Sequence, residues 1–321
     1  MANIKDIAKK AGVSISTVSY ALNGSSKITE ETTERIVAIA KELNYIPNAA
    51  GRNLKKKETK IIGTFIEDYT GSFFGPIFKG MREALSSKGY ELIVCSGVQS
   101  HRFIPEKAID GAIILDVTFS SEELLNYAER GHKLVVLDRE VEHPNINQVL
   151  LDNKAGAAMA IDYIMEKGHQ KLYVLPGRET IYDAKQRLQA VREAIKRYPH
   201  INYIEFEGGA DVELATEQMI KEYTQPAAVF CFNDETAIGM YNYLAGTKYH
   251  VGEHIHIVGF DNIDLAAYMQ PRLATIDFSR YNWGYLAAEN LLKMIANEEV
   301  EPKLIDVTLI EGKSVQAYPR V

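Results

Sequence analysis

Apolar residues recur along this chain with two different rhythms, and the rhythm changes near residue 60. Before that point they return every three or four positions. Ile4, Ile7, Ala8 and Ala11 form one stripe, Val18, Ala21 and Leu22 a second, and Ile36, Ile39, Ala40 and Leu43 a third. This spacing predicts three short amphipathic helices closing one small core. Gly12 permits a sharp turn between the first two, Ser14 can cap the second, and Thr29-Glu30-Glu31 opens the third with carboxylates at its positive end. After Lys60, β-rich apolar runs at 61–66, 91–95, 112–115 and 133–137, then at 171–175, 227–232, 256–260 and 274–277, alternate with amphipathic stretches. Those stretches are 74–88, 122–130, 153–167, 185–198, 211–223, 234–245 and 281–296. Apolar strands separated by helices mean parallel sheets covered on both faces, here in two sets.

The first two helices have the spacing of a helix-turn-helix, a unit that sets its second helix in the DNA major groove. The outer face of that helix carries Ile15, Ser16, Thr17, Ser19 and Tyr20, short polar and mixed side chains able to approach base edges and phosphates. Ser16, Thr17, Tyr20 and Asn23 are its candidate contacts. Residues 44–55 are too polar and too few for a core of their own and read as a hinge that folds against a partner, with Tyr45, Arg52 and Lys55 as further candidates. Charge agrees: residues 1–60 hold eleven Lys+Arg against six Asp+Glu, while the whole chain is −7. An acidic protein with a basic head touches a polyanion at one end only.

With 321 residues and 46% hydrophobic content, the chain should hold two or three compact units. No apolar stretch approaches membrane-spanning length and no charged-then-apolar leader precedes the first helix, so a cytoplasmic location with no membrane partner is expected. Cys95 and Cys231 sit inside apolar runs and read as buried thiols rather than a bridge or metal site. The sequence has no Gly-x-Ser-x-Gly elbow, phosphate loop, dinucleotide fingerprint or His-Glu-x-x-His pair, and its eight histidines are scattered. Neither an enzyme nor a cofactor is expected.

Ligands of open parallel sheets sit beyond the carboxyl ends of the strands. Asp68, Phe73 and Phe74 follow the first strand there, Asp138 follows 133–137, Asn233 follows 227–232 and Asp261 follows 256–260. Glu67, Tyr69, Ser72, Arg139 and Asp234 stand beside them. Carboxylates and an amide serve paired hydroxyls, and aromatic rings cover the apolar face of a pyranose, so the combination favours a carbohydrate. For Asp138 and Asp234, helix capping or a strand-end turn is an equally open reading.

Over essentially its full length the chain resembles the LacI/GalR family of bacterial transcription regulators. The matching stretches are the helix-turn-helix, Leu43-Asn44-Tyr45-Ile46-Pro47-Asn48, Gly168-His169, Phe232-Asn233-Asp234 and Val258-Gly259-Phe260-Asp261-Asn262. The resemblance implies an all-α helix-turn-helix DNA-binding head at 1–46, a hinge at 47–60, and an α/β two-lobed periplasmic-binding-protein-like effector domain of doubly wound parallel sheets at 61–321. Its first lobe would comprise about 61–151 and 278–309, its second about 152–277 and 310–321, with crossings near 151–153, 277–279 and 308–313.

The resemblance also implies partners and roles. The hinge becomes a minor-groove helix on double-stranded operator DNA, and Leu54 is the wedge that unstacks a base step. Arg187 clamps the effector, unless it is a solvated helix charge. Asn233 and Asp261 are polar pocket residues, and Asp138 is a carboxylate some sugar-binding members use. Trp283 stacks on the sugar or packs in the core. The implied function is repression of a carbohydrate-utilisation operon by a homodimer that a small sugar releases from a pseudopalindromic operator; the alternatives are corepression by a small molecule or phosphoprotein and, behind that, a sugar-binding protein without regulatory role.

Two departures change that picture. Gly51 stands where the family commonly has alanine; glycine costs a helix about 1 kcal/mol relative to alanine, which predicts a hinge more dependent on DNA. Only thirteen residues, Ser96 to Ala108, occupy the place of a full helix, and Pro105 breaks any helix there. The edge of the first lobe should be abbreviated, which leaves a protein co-regulator on that lobe open. Gln316 to Val321 carry no leucine heptad, so a dimer is the expected assembly.

Overall fold

A computed structural model describes residues 2–46 and 58–318. The chain forms two compact units, residues 1–59 and 60–321.

In the first unit, helix α1 (Ile4–Ala11) starts at a capping box: the Asn3 side chain accepts from Lys5 N, and Asn3 N donates to the Asp6 carboxylate. Gly12, in the left-handed region at φ 66, ends it. Helix α2 (Ile15–Leu22) is capped by Ser14, whose Oγ accepts from Thr17 N at 3.1 Å, and α3 (Glu30–Glu42) by Thr29. Ile7, Val18 and Ile36 meet in a wholly buried centre closed by Ala8, Ala11, Ala21 and Ala40. These are the apolar positions of the three predicted stripes.

The second unit holds two six-stranded sheets among the described residues. The first comprises β1 (Ile61–Ile66), β2 (Glu91–Ser96), β3 (Gly111–Leu115), β4 (Leu134–Val136), β5 (Ile146–Leu151) and β11 (Lys303–Ile305), in the order β11-β5-β4-β3-β1-β2 and parallel throughout. Helices α4 (Phe74–Ser86), α5 (Ser121–Glu129) and α11 (Arg280–Ile295) belong to this half. The second comprises β6 (Lys171–Leu175), β7 (Asn202–Glu205), β8 (Ala227–Cys231), β9 (Ile255–Phe260), β10 (Ala274–Asp277) and β12 (Thr308–Ile310), in the order β12-β10-β9-β8-β6-β7. Only β12 runs antiparallel. Helices α6 (Asn153–Glu166), α7 (Tyr182–Ile195), α8 (Val212–Lys221), α9 (Asp234–Ala245) and the short α10 (Asp264–Tyr268) flank it.

The chain passes between the sheets after β5, after β10, and again between β11 and β12. This last crossing corrects the expectation of 308–313 and the lobe boundary drawn after 309. Thr308 already pairs with Asp277 in the second sheet, so the passage is made by Asp306-Val307. Two three-residue strands leave no room for a longer link.

Two contacts fix the first lobe and its junction with the second. Helices α4 and α11 approach so closely that a Cβ on Gly80 would strike Tyr281 O and one on Gly284 would strike Ile77 O. At the start of α11, buried Arg280 donates through Nη1 to Ser72 O and Phe73 O, both at 3.4 Å, and through Nη2 to Asn262 O at 3.0 Å. The abbreviated segment forms one short 3-10 helix, Val98–Phe103, that stops before Pro105. Its His101 stacks on Phe119 at 3.5 Å between ring centroids and bonds Glu123 and Thr118.

His169, from the Gly168-His169 pair, packs on His256 and donates through Nε2 to Gln316 O, which fastens the C-terminal segment; burial lowers the pKa of both rings. Both cysteines are buried and free. Among the described residues no helix is long and apolar enough to cross a membrane.

Candidate functional site

The carboxyl ends of β1, β3, β8 and β9 open onto one cavity of about 250 Å³ between the two sheets. Of the sequence candidates, Asp68, Phe73, Phe74, Asp138, Arg187, Asn233, Asp261 and Trp283 all line it. Topology brings together the six that follow strand ends, because parallel strands deliver every following loop to the same edge, whereas Arg187 comes from α7 and Trp283 from α11.

Arg187 is the centre of the arrangement and is not a solvated charge: 3% of its surface is exposed. Its Nε donates to Asn153 Oδ1 at 2.8 Å, its Nη1 to Phe232 O at 2.7 Å, and its guanidinium lies 3.5 Å from the Phe260 ring centroid. Nη2 stands 3.6 Å from Asp261 Oδ1. The remaining N–H groups are available to ligand oxygens. Asn153 also donates to Asp183 Oδ1 at 2.7 Å, so one amide orders the arginine and a second acid.

Burial raises the Asp183 carboxyl above its ordinary value and pushes Asp261 up to about 8, against the pull of Arg187 in both cases. A carboxyl that keeps its proton near neutrality can donate as well as accept. Asp261 sits in the left-handed region at φ 107, a conformation that strains a residue with a Cβ and aims this side chain away from the strand direction. Asp234 holds it there. Its buried carboxyl accepts from Ile263 N at 2.9 Å and from Thr275 Oγ1 at 2.5 Å, in space that a Cβ on Gly259 would fill. Burial raises Asp234 to about 7. Asp234 is therefore a strut for the 261–263 loop, which explains physically why Asn233-Asp234 and Gly259-Phe260-Asp261 belong together. Asn233 caps α9, its Oδ1 accepting from Thr236 N at 2.8 Å.

On the first lobe, both oxygens of Asp138 accept from Arg139, at 2.8 and 2.7 Å, and Arg139 also donates to Asp116 O and Phe119 O. Asp68 accepts from Thr70 N and Oγ1, and these bonds, the side-chain one foremost, hold its carboxyl below its ordinary value. Phe73 meets Phe74 edge to face at 5.3 Å and Trp283 at 6.3 Å. Trp283 is wholly buried, donates through Nε1 to Val149 O at 2.6 Å, and reaches the cavity as part of its wall. Tyr69 instead turns outward and donates to Val94 O.

Asp183 and Glu235 line the cavity without having been singled out from the sequence. Asp183 lies four residues before Arg187, a spacing that puts both on one helix face and was a usable signal. Among the described residues no group of three or more His, Cys, Asp and Glu could hold a metal ion.

On the first unit, Ser16, Tyr20 and Asn23 are exposed on or beside α2. Thr17 is half-buried and its Oγ1 pairs with Ser14 Oγ at 2.8 Å, so it serves the cap as well as the face. Asn23 donates to Ser19 O at 2.6 Å, and Tyr45 packs half-buried against the helical core. Gly51, Arg52, Leu54 and Lys55 lie outside the described residues.

Comparison with known proteins bears on both units. Residues 3–48 match the family model described as bacterial regulatory proteins, lacI family, and residues 161–315 the one described as a periplasmic binding protein-like domain. The chain is 31% identical to the HTH-type transcriptional repressor PurR of Vibrio cholerae, over 96% of this chain and 95% of that protein. It is 30% identical to the ribose operon repressor of Haemophilus influenzae, over 98% and 99%. A solved sugar-binding transcriptional regulator (LacI family) from Enterococcus faecalis shares 45% identity over 80% of this chain and 98% of its own, with a TM-score of 0.76. These relatives are transcriptional regulators rather than enzymes, and with such identity across nearly its whole length the chain belongs to the LacI family of bacterial regulatory proteins, DNA-binding repressors that carry a ligand-binding domain.

Proposed function

We propose that this protein represses a carbohydrate-utilisation operon and leaves a pseudopalindromic operator when a small sugar fills the cavity. The observation that carries the reading is the cavity lining: a buried, stacked arginine with free donors, several carboxyls able to accept or donate, and a phenylalanine wall. Those groups match paired hydroxyls on one side and an apolar ring face on the other. The volume, about 250 Å³, is some eight waters' worth at roughly 30 Å³ each, which suits one sugar ring. The solved relative from Enterococcus faecalis is itself described as sugar-binding.

On the DNA side, a dimer would present Ser16, Thr17, Tyr20 and Asn23 of each copy to two half-sites, with Tyr45, Arg52 and Lys55 on the backbone and Leu54 in the central step. Coupling follows from linkage: a ligand that prefers the arrangement with separated hinges weakens DNA binding by the ratio of its two affinities. The test is selection of operators from a random palindrome pool, with and without a panel of mono- and disaccharides at one fixed salt concentration. A selected palindrome whose affinity one sugar lowers tenfold or more, about 1.4 kcal/mol, supports the proposal. A palindrome that no sugar affects refutes carbohydrate release.

A further inference from the structure

We propose that the effector carries no negative charge, being a neutral or amine-bearing carbohydrate, and that Glu235 is the residue that turns away sugar acids and sugar phosphates. This rests on the carbohydrate reading of the cavity. Glu67, Asp68, Asp138, Asp183, Glu235 and Asp261 line it, and Arg187 is the one cation among the lining residues described. Three of those acids face a cation, Glu67 with Arg178 at 3.1 Å, Asp138 with Arg139 and Asp261 with Arg187 at 3.6 Å, while Asp183 accepts from the Asn153 amide.

Arg187 offers an incoming anion only part of its fork. A two-pronged grip on a carboxylate or phosphate needs two adjacent N–H groups pointing the same way. Here Nε is held by Asn153, Nη1 by Phe232 O, and Nη2 faces Asp261. An anion taken by the remaining N–H groups therefore comes against the Asp261 carboxyl, 3.6 Å from Nη2, whereas a hydroxyl does not carry that penalty.

Glu235 supplies repulsion from the second lobe. It stands in the first turn of α9 with no hydrogen bond or ion pair among the described residues, and its Oε1 reaches the space where a Cβ on Gly71 would sit. Gly71, at φ 78, lacks that Cβ, so a carboxylate carried by the second lobe lies against the first-lobe turn that follows Asp68 and Thr70. Glu235 and Asp68 both line the cavity, so an anion in it faces a carboxylate from each lobe. Like charges repel, and two carboxylates facing one anion are expected to give at least a tenfold preference for the neutral ligand. An ammonium in the same place is attracted.

The experiment takes the full chain and the same sugar panel, extended to the amino, uronic and phosphorylated forms of each ring, and measures binding calorimetrically at low and high salt. In any series that binds, the neutral or amino member is expected to bind at least ten times more tightly than its acid or phosphate, with the gap narrowing as salt screens the exposed charges. Glu235→Gln should shrink that ratio at least threefold. An acid or phosphate that binds as tightly as its neutral parent overturns the inference and leaves the carbohydrate reading intact. A ratio that neither salt nor E235Q moves assigns the selectivity to shape, which also overturns Glu235 as its source. If no member of any series binds, the carbohydrate reading falls and this inference falls with it.

Discussion

Replacing Arg187 with alanine should silence the effector response while leaving the empty protein on its operator. The side chain makes two charge-assisted hydrogen bonds, to Asn153 and Phe232 O, and stacks on Phe260. Breaking a buried charge pair costs about 3–5 kcal/mol. The lower end applies here, because Asp183 and Asp261 are already raised by burial and can take up a proton instead of staying charged beside a void. The expected loss of unfolding free energy is about 3 kcal/mol. Effector affinity should fall at least a hundredfold, about 2.8 kcal/mol, since the ligand loses the guanidinium's free donors. Arg187→Lys keeps the charge but not the planar fork, so it should recover part of the stability and little of the affinity. Operator affinity by fluorescence anisotropy, with and without effector, and urea midpoints on the same samples check both halves. A folded Arg187→Ala protein that releases DNA at the wild-type effector concentration refutes the clamp.

Three further outcomes are expected. Gly284→Ala forces a Cβ into Ile77 O, so the urea midpoint should drop with an unchanged slope, by about 1–3 kcal/mol of overpacking; an unaltered midpoint contradicts the close approach of α4 and α11. Asp261 has its pKa raised from 3.8 to about 8 in the fold, so between those values the unfolded chain releases a proton that the folded chain keeps, and stability declines as pH rises across that window. Asp261→Asn should therefore lose less stability than wild type between pH 5 and 8, and parallel pH curves for the two proteins would count against a buried, protonated Asp261. Leu54→Ala should reduce operator bending and affinity with effector binding unchanged, and a normal bend angle would remove the wedge role.

The helical head was legible because each helix buries its own periodic stripe, down to Ile7, Val18 and Ile36 at the centre. Strand β8 announced itself as an unbroken apolar run and β9 as one interrupted only by His256 near its start, both buried along their whole length. Strand β5 did not, because Asn147 interrupts it; that side chain is satisfied by Val300 O and Asn290, about 150 residues further on, partners no local pattern reveals. Strands β7, β11 and β12 have three or four residues and exposed positions, too few to show a period, and this is why the third crossing was misplaced. The cavity residues that follow strand ends could be read from topology. Glu235 also follows a strand end, but its place against Gly71 could not be read, because that residue of the other lobe has no side chain to betray the contact.

Arg280 gives the two lobes a common point of load. One guanidinium holds the carbonyls of Ser72 and Phe73 on one side of the cavity and that of Asn262, next to Asp261, on the other. The phenylalanine wall and the aspartate loop thus share one junction. Contacts on either side of the cavity therefore converge on one side chain, and Arg280→Lys, which cannot span all three carbonyls, would loosen the phenylalanine wall and the aspartate loop at once.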